Sequence, residues 1–326
     1  MKKQEKYSSD SNPVIEWKKL GLVYDASKHI QDWAKNSALT PTPIMRTNGE
    51  IRVFCGFRDA EGVSRIGYVD LDSDNPSRVI NVSQHPVLDI GRDGCFDDNG
   101  LILGDIVEYN KKLYLFYVGF QLVSKVKFLA FSGLAISDDE GESFQRVSES
   151  PFLDRHLGGN YISAIHTVRH EDGKWKFWYA AGDTWEVIEG RTFPNYGIKY
   201  FETNDLTSIP SERISCIPSS SEYYRVGRPR VYRNRDGYLM HYTCGNVSGD
   251  YFPKVAHSVD GFKWRTEHTQ FPIKLAEKGW DSRHLCYPSV LSLKDKVLMF
   301  YNGNDMGWDG FGVAECRDQI AVDMFS

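Results

Sequence analysis

The chain has 326 residues, of which 41% are hydrophobic and 25% charged, an ordinary globular composition with length enough for a substantial core. Its net charge is −5, its pI is near 6.0, and no Lys/Arg block is interleaved with aromatics, so nucleic acid is not an expected partner. No run approaches the roughly 18 apolar residues of a membrane span, and MKKQEKYSSDSNP is charged with no apolar stretch, so the expectation is a cytoplasmic protein without a membrane span.

Residues 1–12 read as a disordered tail and residues 13–326 as one domain. The segment HIQDWAKNS (29–37) suits a short turn of helix. One pattern then recurs about every sixty residues. It is a small or polar run with a short apolar segment, a turn, and an aromatic strand that usually ends in glycine. The copies are Thr42-Pro43-Ile44 before IRVFCGF, Asp105-Ile106-Val107 before KLYLFYVG, Ala164-Ile165-His166 before KWKFWYAAG, Arg228-Pro229-Arg230 before GYLMHYTCG, and Tyr287-Pro288-Ser289 before KVLMFYNG. Anchored on Pro43, Ile106, Ile165, Pro229 and Pro288, the steps are 63, 59, 64 and 59 residues. A fixed period of this kind sets the architecture.

A third strand follows each aromatic one, as in SRIGYVDLD and YGIKYFETND. Hairpin turns then lead to a fourth, most clearly in SDDEGESFQRV (137–147) and SVDGFKWRTE (258–267). The pattern predicts an all-β fold, a single five-bladed β-propeller of four-stranded antiparallel blades. The last unit stops after its third strand. Residues 14–20, VIEWKKL, are expected to supply its outer strand and close the ring. A pair of β-sandwiches is the rival architecture.

The first strand of each propeller blade lines a central funnel, so chemistry is sought at and before those strands. Glycoside cleavage uses two carboxylates across the sugar, and Asp98, Asp105 and Asp281 are the catalytic candidates, with Asp97 beside them. Asp105 lies inside the apolar run LILGDIVEY, where a carboxylate is costly unless it is paired or faces a wet channel. Asp97-Asp98-Asn99-Gly100 equally suits a turn, as does the segment holding Asp281. Arg228, in VGRPRVY, can bind a carboxylate, a phosphate or sugar hydroxyls, or be tied to Asp105 or Asp281 in a salt bridge. His166 and His284 suit acid–base work or ligand contact, or a structural place in the core. Arg58, Arg225 and Asn304 are further substrate-binding candidates, and Tyr161, Tyr224 and Trp185 a stacking surface. Thr40 and Tyr287 also fall where the first strands meet the funnel. There is no HExxH, P-loop or GxSxG motif, and no metal site is expected. The six cysteines lack CxxC spacing and read as reduced thiols.

The stretches FDDNGLILGDIVEYNKKLYLFYVG, GLAISDDEGESFQRV and GWDSRHLCYPSVLSLKDKVLMFYNGND resemble the five-bladed propellers of glycoside hydrolase families 32, 43 and 130. They resemble more closely uncharacterised propellers of that type among bacterial surface-polysaccharide genes. The resemblance covers roughly residues 14–316. It implies a carbohydrate or nucleotide-sugar ligand at the funnel and no dissociable organic cofactor. The chain departs from family 43, whose hydrolases place an aspartate at the start of the first blade. Here residues 36–42 carry no carboxylate, and YYRVGRP holds no counterpart of the acid glutamate. Arg283 in GWDSRH stands where the polysaccharide-locus relatives have an acidic residue. The expected function is a glycosidase-like enzyme acting on a glycosidic bond or activated sugar in bacterial surface-polysaccharide metabolism. The alternatives are a glycosyltransferase or phosphorylase, with Arg225, Arg228 and Arg283 as an anion pocket, and a non-catalytic glycan-binding propeller.

Overall fold

Aromatic and β-branched runs form strands here because those side chains suit a half-buried pleated surface, and Gly, Asn and Asp turns reverse the chain between them. The computed structural model describes residues 15–188, 190–266 and 271–325; the expected tail, residues 1–12, lies outside them. Strand β1 (Lys18–Asp25) comes first. An antiparallel unit follows, made of β2 (Asn36–Met45), β3 (Ile51–Arg58), β4 (Ser64–Leu71) and β5 (Val79–Val82) in sequence order. The same up-and-down pattern recurs as β6 (Leu101–Tyr109), β7 (Lys112–Gln121), β8 (Leu129–Ser137) and the short β9 (Gln145–Arg146). It recurs again as β10 (Ile162–Glu171), β11 (Lys174–Ile188), β12 (Arg191–Thr203) and β13 (Ile214–Ile217). Then come β14 (Tyr223–Asn234), β15 (Gly237–Asn246) and β16 (Tyr251–Ser258). The last unit is β17 (Cys286–Ser292), β18 (Val297–Asn302) and β19 (Gly310–Cys316), and β1 pairs antiparallel with β19 as its outer strand.

The nearly all-β reading therefore holds, with three local corrections. The N-terminal outer strand begins at Lys18, later than residues 14–20. Residues 29–37 are not helical. A 3-10 turn at Ala26–Lys28 precedes a bridge between Gln31 and Ala34, and β2 already starts at Asn36. The indole of Trp33 donates to the Gln84 carbonyl at 3.0 Å, a tertiary contact that overrides the local helical spacing. In the fourth unit an isolated bridge between His257 and Arg265 stands where a fourth strand was expected. A short helix not anticipated from the sequence, Gln319–Phe325, buries Ala321 and Val322 and sets the Phe325 ring 5.1 Å from Tyr232. No helix of the described residues is long and apolar enough to cross a membrane.

The core lies between successive units. Phe54, Leu103, Leu115 and Tyr117 share one buried cluster, and Tyr24, Phe57, Phe300 and Phe311 another. Burying each such side chain contributes roughly 1.5–3 kcal/mol.

The first strand of each unit also breaks register at a corresponding place. The shifts fall between Leu39 and Thr42, Leu103 and Asp105, Ile165 and Thr167, Gly227 and Arg230, and Cys286 and Ser289. The residues displaced are Thr40, Gly104, His166, Arg228 and Tyr287, three of them followed by proline. Thr40, Arg228 and Tyr287 take φ of 55°, 53° and 55°, in the left-handed region. A bulge bends the strand and re-aims a side chain. At Gly104 only glycine fits, because a Cβ there would lie 2.3 Å from the Ile165 carbonyl oxygen and 2.5 Å from that of Phe116.

Candidate functional site

The bulged side chains open onto a cavity of about 390 Å³, within the ~300–1,000 Å³ typical of small-ligand sites. The first strand of every unit contributes to its wall, through Thr40, Ile102, His166, Arg228 and Tyr287. The β11–β12 hairpin runs on past its neighbours, residues 184–188 pairing with 191–195, and Phe193 and Tyr196 of β12 join the wall. Phe120 and Phe128 supply further aromatic surface.

The charge of this wall has one sign. Arg58, Lys127, Arg225 and Arg228 line it, and among the described residues no carboxylate does. Arg228 is 4% exposed. Its Nη1 donates to the Leu103 carbonyl and, at 3.0 Å, to His166 Nδ1. That bond makes Nδ1 the acceptor and assigns the ring proton of His166 to Nε2. Burial first, then the Arg228 and Arg230 guanidiniums, hold His166 well below the usual histidine range, so it is neutral at pH 7. Burial first and Arg230 second pull Arg228 down to about 9, which leaves it a cation at neutral pH. Burial also lowers Arg58.

Arg225 lies 5.4 Å from the Phe193 ring centroid and 5.0 Å from those of Tyr224 and Tyr251, a cation among aromatic faces. The hydroxyls of Tyr196 and Tyr251 are 3.4 Å apart, and the rings of Tyr251 and Tyr287 meet edge to face at 5.8 Å. Burial pushes the Tyr251 and Tyr287 phenols up, so both remain protonated donors. Thr40 Oγ1 is buried with no hydrogen-bond partner. The cavity thus offers hydrogen-bond donors and aromatic faces, and no carboxylate to act as acid or base.

The expected carboxylates are elsewhere. Asp105 accepts from Arg230 Nη1 at 2.6 Å, from its neighbour Ile106 N at 2.9 Å and from Val168 N at 2.8 Å. It lines a second recess, one step further along the same first strands, with Thr167, Arg230 and Tyr232. Asp97 is fully buried and accepts from Arg146 Nε at 2.8 Å and the Tyr117 hydroxyl at 3.1 Å. Asp281 repeats that arrangement with Lys19 Nζ at 2.6 Å and the Tyr301 hydroxyl at 3.1 Å. In both cases the aspartate precedes its tyrosine by 20 residues. The cation in both comes from the unit's outer strand, β9 or β1. Asp98 accepts from Gly94 N at 2.9 Å and closes a turn. The structure thus does not bring Asp97, Asp98, Asp105 and Asp281 into the cavity: Asp97, Asp105 and Asp281 are each ion-paired, and Asp98 closes a turn. An aspartate in an apolar run is stable when paired as well as when wet, and the pairs formed here are remote in sequence.

Of the other candidates, the structure brings Arg58, His166, Arg225 and Arg228 together in the cavity wall. Tyr224 stands behind Phe193, with ring centroids 5.9 Å apart. Trp185 packs on Phe128 at 5.1 Å and on Tyr161 at 6.5 Å, so these two support the wall without forming it. The Asn304 side chain accepts from the backbone N–H groups of Arg283 at 2.8 Å and His284 at 3.0 Å, a tie within its loop. Arg283 pairs with Asp305 at 2.6 Å on the surface, away from the proposed anion pocket. Sequence reasoning missed Phe193, Tyr196, Tyr251 and Lys127. The length of the β11–β12 hairpin beside its shorter siblings is the signal that points to the first two.

No family model matches the chain. An uncharacterized protein of Mycobacterium tuberculosis, Rv1502, is 28% identical over 299 residues, covering 91% of this chain and 98% of its own. Among solved structures, a glycoside hydrolase superposes with a TM-score of 0.69 at 16% identity, covering 92% of each chain. A thermostable family-43 glycoside hydrolase gives 0.65 at 15% identity, covering 86% of this chain and 89% of its own. A structure from GH130, a family of mannoside phosphorylases that contains glycoside hydrolases, gives 0.61 at 13% identity, covering 95% and 96%. At these identities the likeness is one of fold: the chain shares the propeller fold of glycoside hydrolases.

Proposed function

We propose that this is a glycoside-hydrolase-like, carbohydrate-active protein, built as a closed five-bladed propeller, whose ligand is a sugar held in the axial cavity. The observation that carries the reading is a cavity lined by the first strand of every unit and rich in aromatic and polar side chains. Aromatic faces with a few placed donors are what sugar recognition needs. Closure is supported by Asn302 of β18, which accepts from Thr40 N at 2.8 Å and donates to the Ala38 carbonyl at 2.9 Å, tying the last unit to the first.

Water attack across a glycosidic bond ordinarily takes two carboxylates, and the described cavity wall has none. The cationic wall favours transfer from an activated sugar, such as a nucleotide sugar or sugar phosphate, or phosphorolysis of a glycosidic bond by inorganic phosphate, in bacterial surface-polysaccharide metabolism. Glycan binding without turnover is the second reading, favoured by the same absence of carboxylates. The full chain is to be incubated with nucleotide sugars or sugar 1-phosphates and acceptor oligosaccharides, with products followed by mass spectrometry and binding by thermal shift. Transfer gives an acceptor heavier by one sugar, whereas stabilisation without a new product supports the binding module. No stabilisation by any sugar class refutes the proposal.

A further inference from the structure

Four bulged side chains, Thr40, His166, Arg228 and Tyr287, line the cavity, with Arg228 3.0 Å from His166 and 5.9 Å from the Tyr287 ring, and Gly104 leaves the remaining place without a side chain. Every polar function they present there can donate a hydrogen bond, the two hydroxyls being able to accept as well. Arg228 is 4% exposed and forms no ion pair with a described residue. Its neighbour Arg230 takes the Asp105 carboxylate at 2.6 Å, so that anion offsets Arg228 only from a distance and makes no direct pair with it. Only Nη1 of Arg228 is engaged, with the Leu103 carbonyl and His166, and the rest of its fork is available. His166 Nε2–H has no partner among the described residues, and Thr40 Oγ1 is buried and unpartnered. Arg58 joins the same wall and forms no ion pair with a described residue.

A cation withdrawn from water without a counter-charge is destabilising, and buried donors ordinarily find acceptors. Both are resolved by one kind of ligand. We infer that the part of the cavity around Arg228 is an anion site, so that the sugar carries a carboxylate or phosphate seated against Arg228, Arg58, Thr40 and His166 Nε2–H. A planar guanidinium binds either group through two parallel hydrogen bonds. Phe120, Phe128 and Phe193 then cover the apolar face of the sugar ring. The inference deepens the proposed function and rests on its sugar-binding reading.

The test uses the full chain and matched pairs of ligands, followed by calorimetry and thermal shift at constant ionic strength. D-glucose is compared with D-glucuronate and α-D-glucose 1-phosphate, the galactose and mannose counterparts are run beside them, and inorganic phosphate is run alone. The acidic member of a pair is expected to bind about tenfold tighter than its neutral parent, with the gap narrowing as salt is raised. Thr40→Val, which exchanges a hydroxyl for a methyl of like size, and Arg58→Gln are expected to weaken the acidic ligands more than their neutral parents and so shrink that preference. A preference for glucuronate identifies the carboxylate as the source and one for the 1-phosphate identifies the sugar phosphate. Stabilisation by inorganic phosphate alone, lost in Thr40→Val, identifies free phosphate. Equal binding of neutral and acidic members overturns the anion site while the sugar site stands. An acid preference unchanged in both variants also overturns it. Failure of every sugar and of inorganic phosphate to bind the folded protein overturns both.

Discussion

Replacing Asp97 by alanine removes a carboxylate that is 0% exposed and held by Arg146 at 2.8 Å and the Tyr117 hydroxyl at 3.1 Å. Breaking a buried pair by deleting one partner costs about 3–5 kcal/mol. The Arg146 side chain is 21% exposed and can turn partly to water, so the lower end, about 3 kcal/mol, is expected. A chain of 326 residues melting as one unit, at about 2.1 cal/mol/K per residue, has an unfolding entropy near 0.7 kcal/mol/K. The melting temperature should therefore fall by roughly 4 °C. Asp97→Asn keeps the shape and the tyrosine bond, so it should fall by a smaller amount. Differential scanning calorimetry gives the shift, and sugar binding is measured well below both transitions. The folded variant is expected to bind sugar as the wild type does. An unchanged melting temperature together with lost binding or turnover would refute the structural assignment and return Asp97 to the chemistry. Asp281→Ala tests the matching clasp, with a smaller loss because Lys19 is 26% exposed.

Phe193→Ala should weaken sugar binding about tenfold, the size of a typical aromatic anchor, with little change in melting temperature; undiminished affinity by calorimetry would remove the hairpin from the site. Arg58→Met should raise the stability of the ligand-free protein by about 1 kcal/mol, since it replaces an uncompensated, partly buried cation with an apolar chain of similar length. A lower melting temperature would show instead that Arg58 is a structural cation. His241 is fully buried, and burial first and His257 second pull it down to about 3, while an unfolded histidine titrates near 6.5. Between those values the unfolded chain binds a proton that the folded chain refuses, so stability falls as pH is lowered from 7. At pH 5 this histidine contributes a loss of about 2 kcal/mol, and His166, shifted the same way, adds to it. Melting curves at pH 7 and pH 5 should show a smaller drop for His241→Asn than for wild type, and equal drops would refute the assignment.

The frame was readable because its signals are local and repeated. Aromatic runs such as KLYLFYVG and KVLMFYNG, each bounded by turn residues, became β7 and β18. The Asp and Gly turns of SDDEGESF and SVDGFKW close through side-chain bonds within the turn itself, Gly141 N to Ser137 Oγ and Gly261 N to Ser258 Oγ, each at 2.9 Å. Where local preference met a tertiary contact it lost, as at Trp33. The seven-residue helix at Gln319–Phe325 is too short for its periodicity to stand out; its place is set by packing on Tyr232 and His241.

The site was less readable, and Arg228 and Arg230 show why. Two residues apart in a regular strand, they should share one face, and either could be the partner of a buried aspartate. The bulge between Gly227 and Arg230 separates them. Arg230 goes to Asp105, 125 residues earlier in the chain, and Arg228 goes to the cavity. A partner at that separation leaves no trace in local sequence, so a buried aspartate paired for structure reads the same as one placed for catalysis. The proline after the displaced residue does leave a trace. Proline cannot donate to a strand ladder and sits at bulges or edges, and in three first strands it directly follows the bulged residue, as Thr40-Pro41, Arg228-Pro229 and Tyr287-Pro288. X-Pro pairs therefore mark side chains turned toward the cavity, at the period anchors Pro229 and Pro288 and, in the first unit, at Pro41, two residues before the anchor Pro43. They single out an arginine, a threonine and a tyrosine, a set of donors, where a search for paired carboxylates finds only the clasps of the frame.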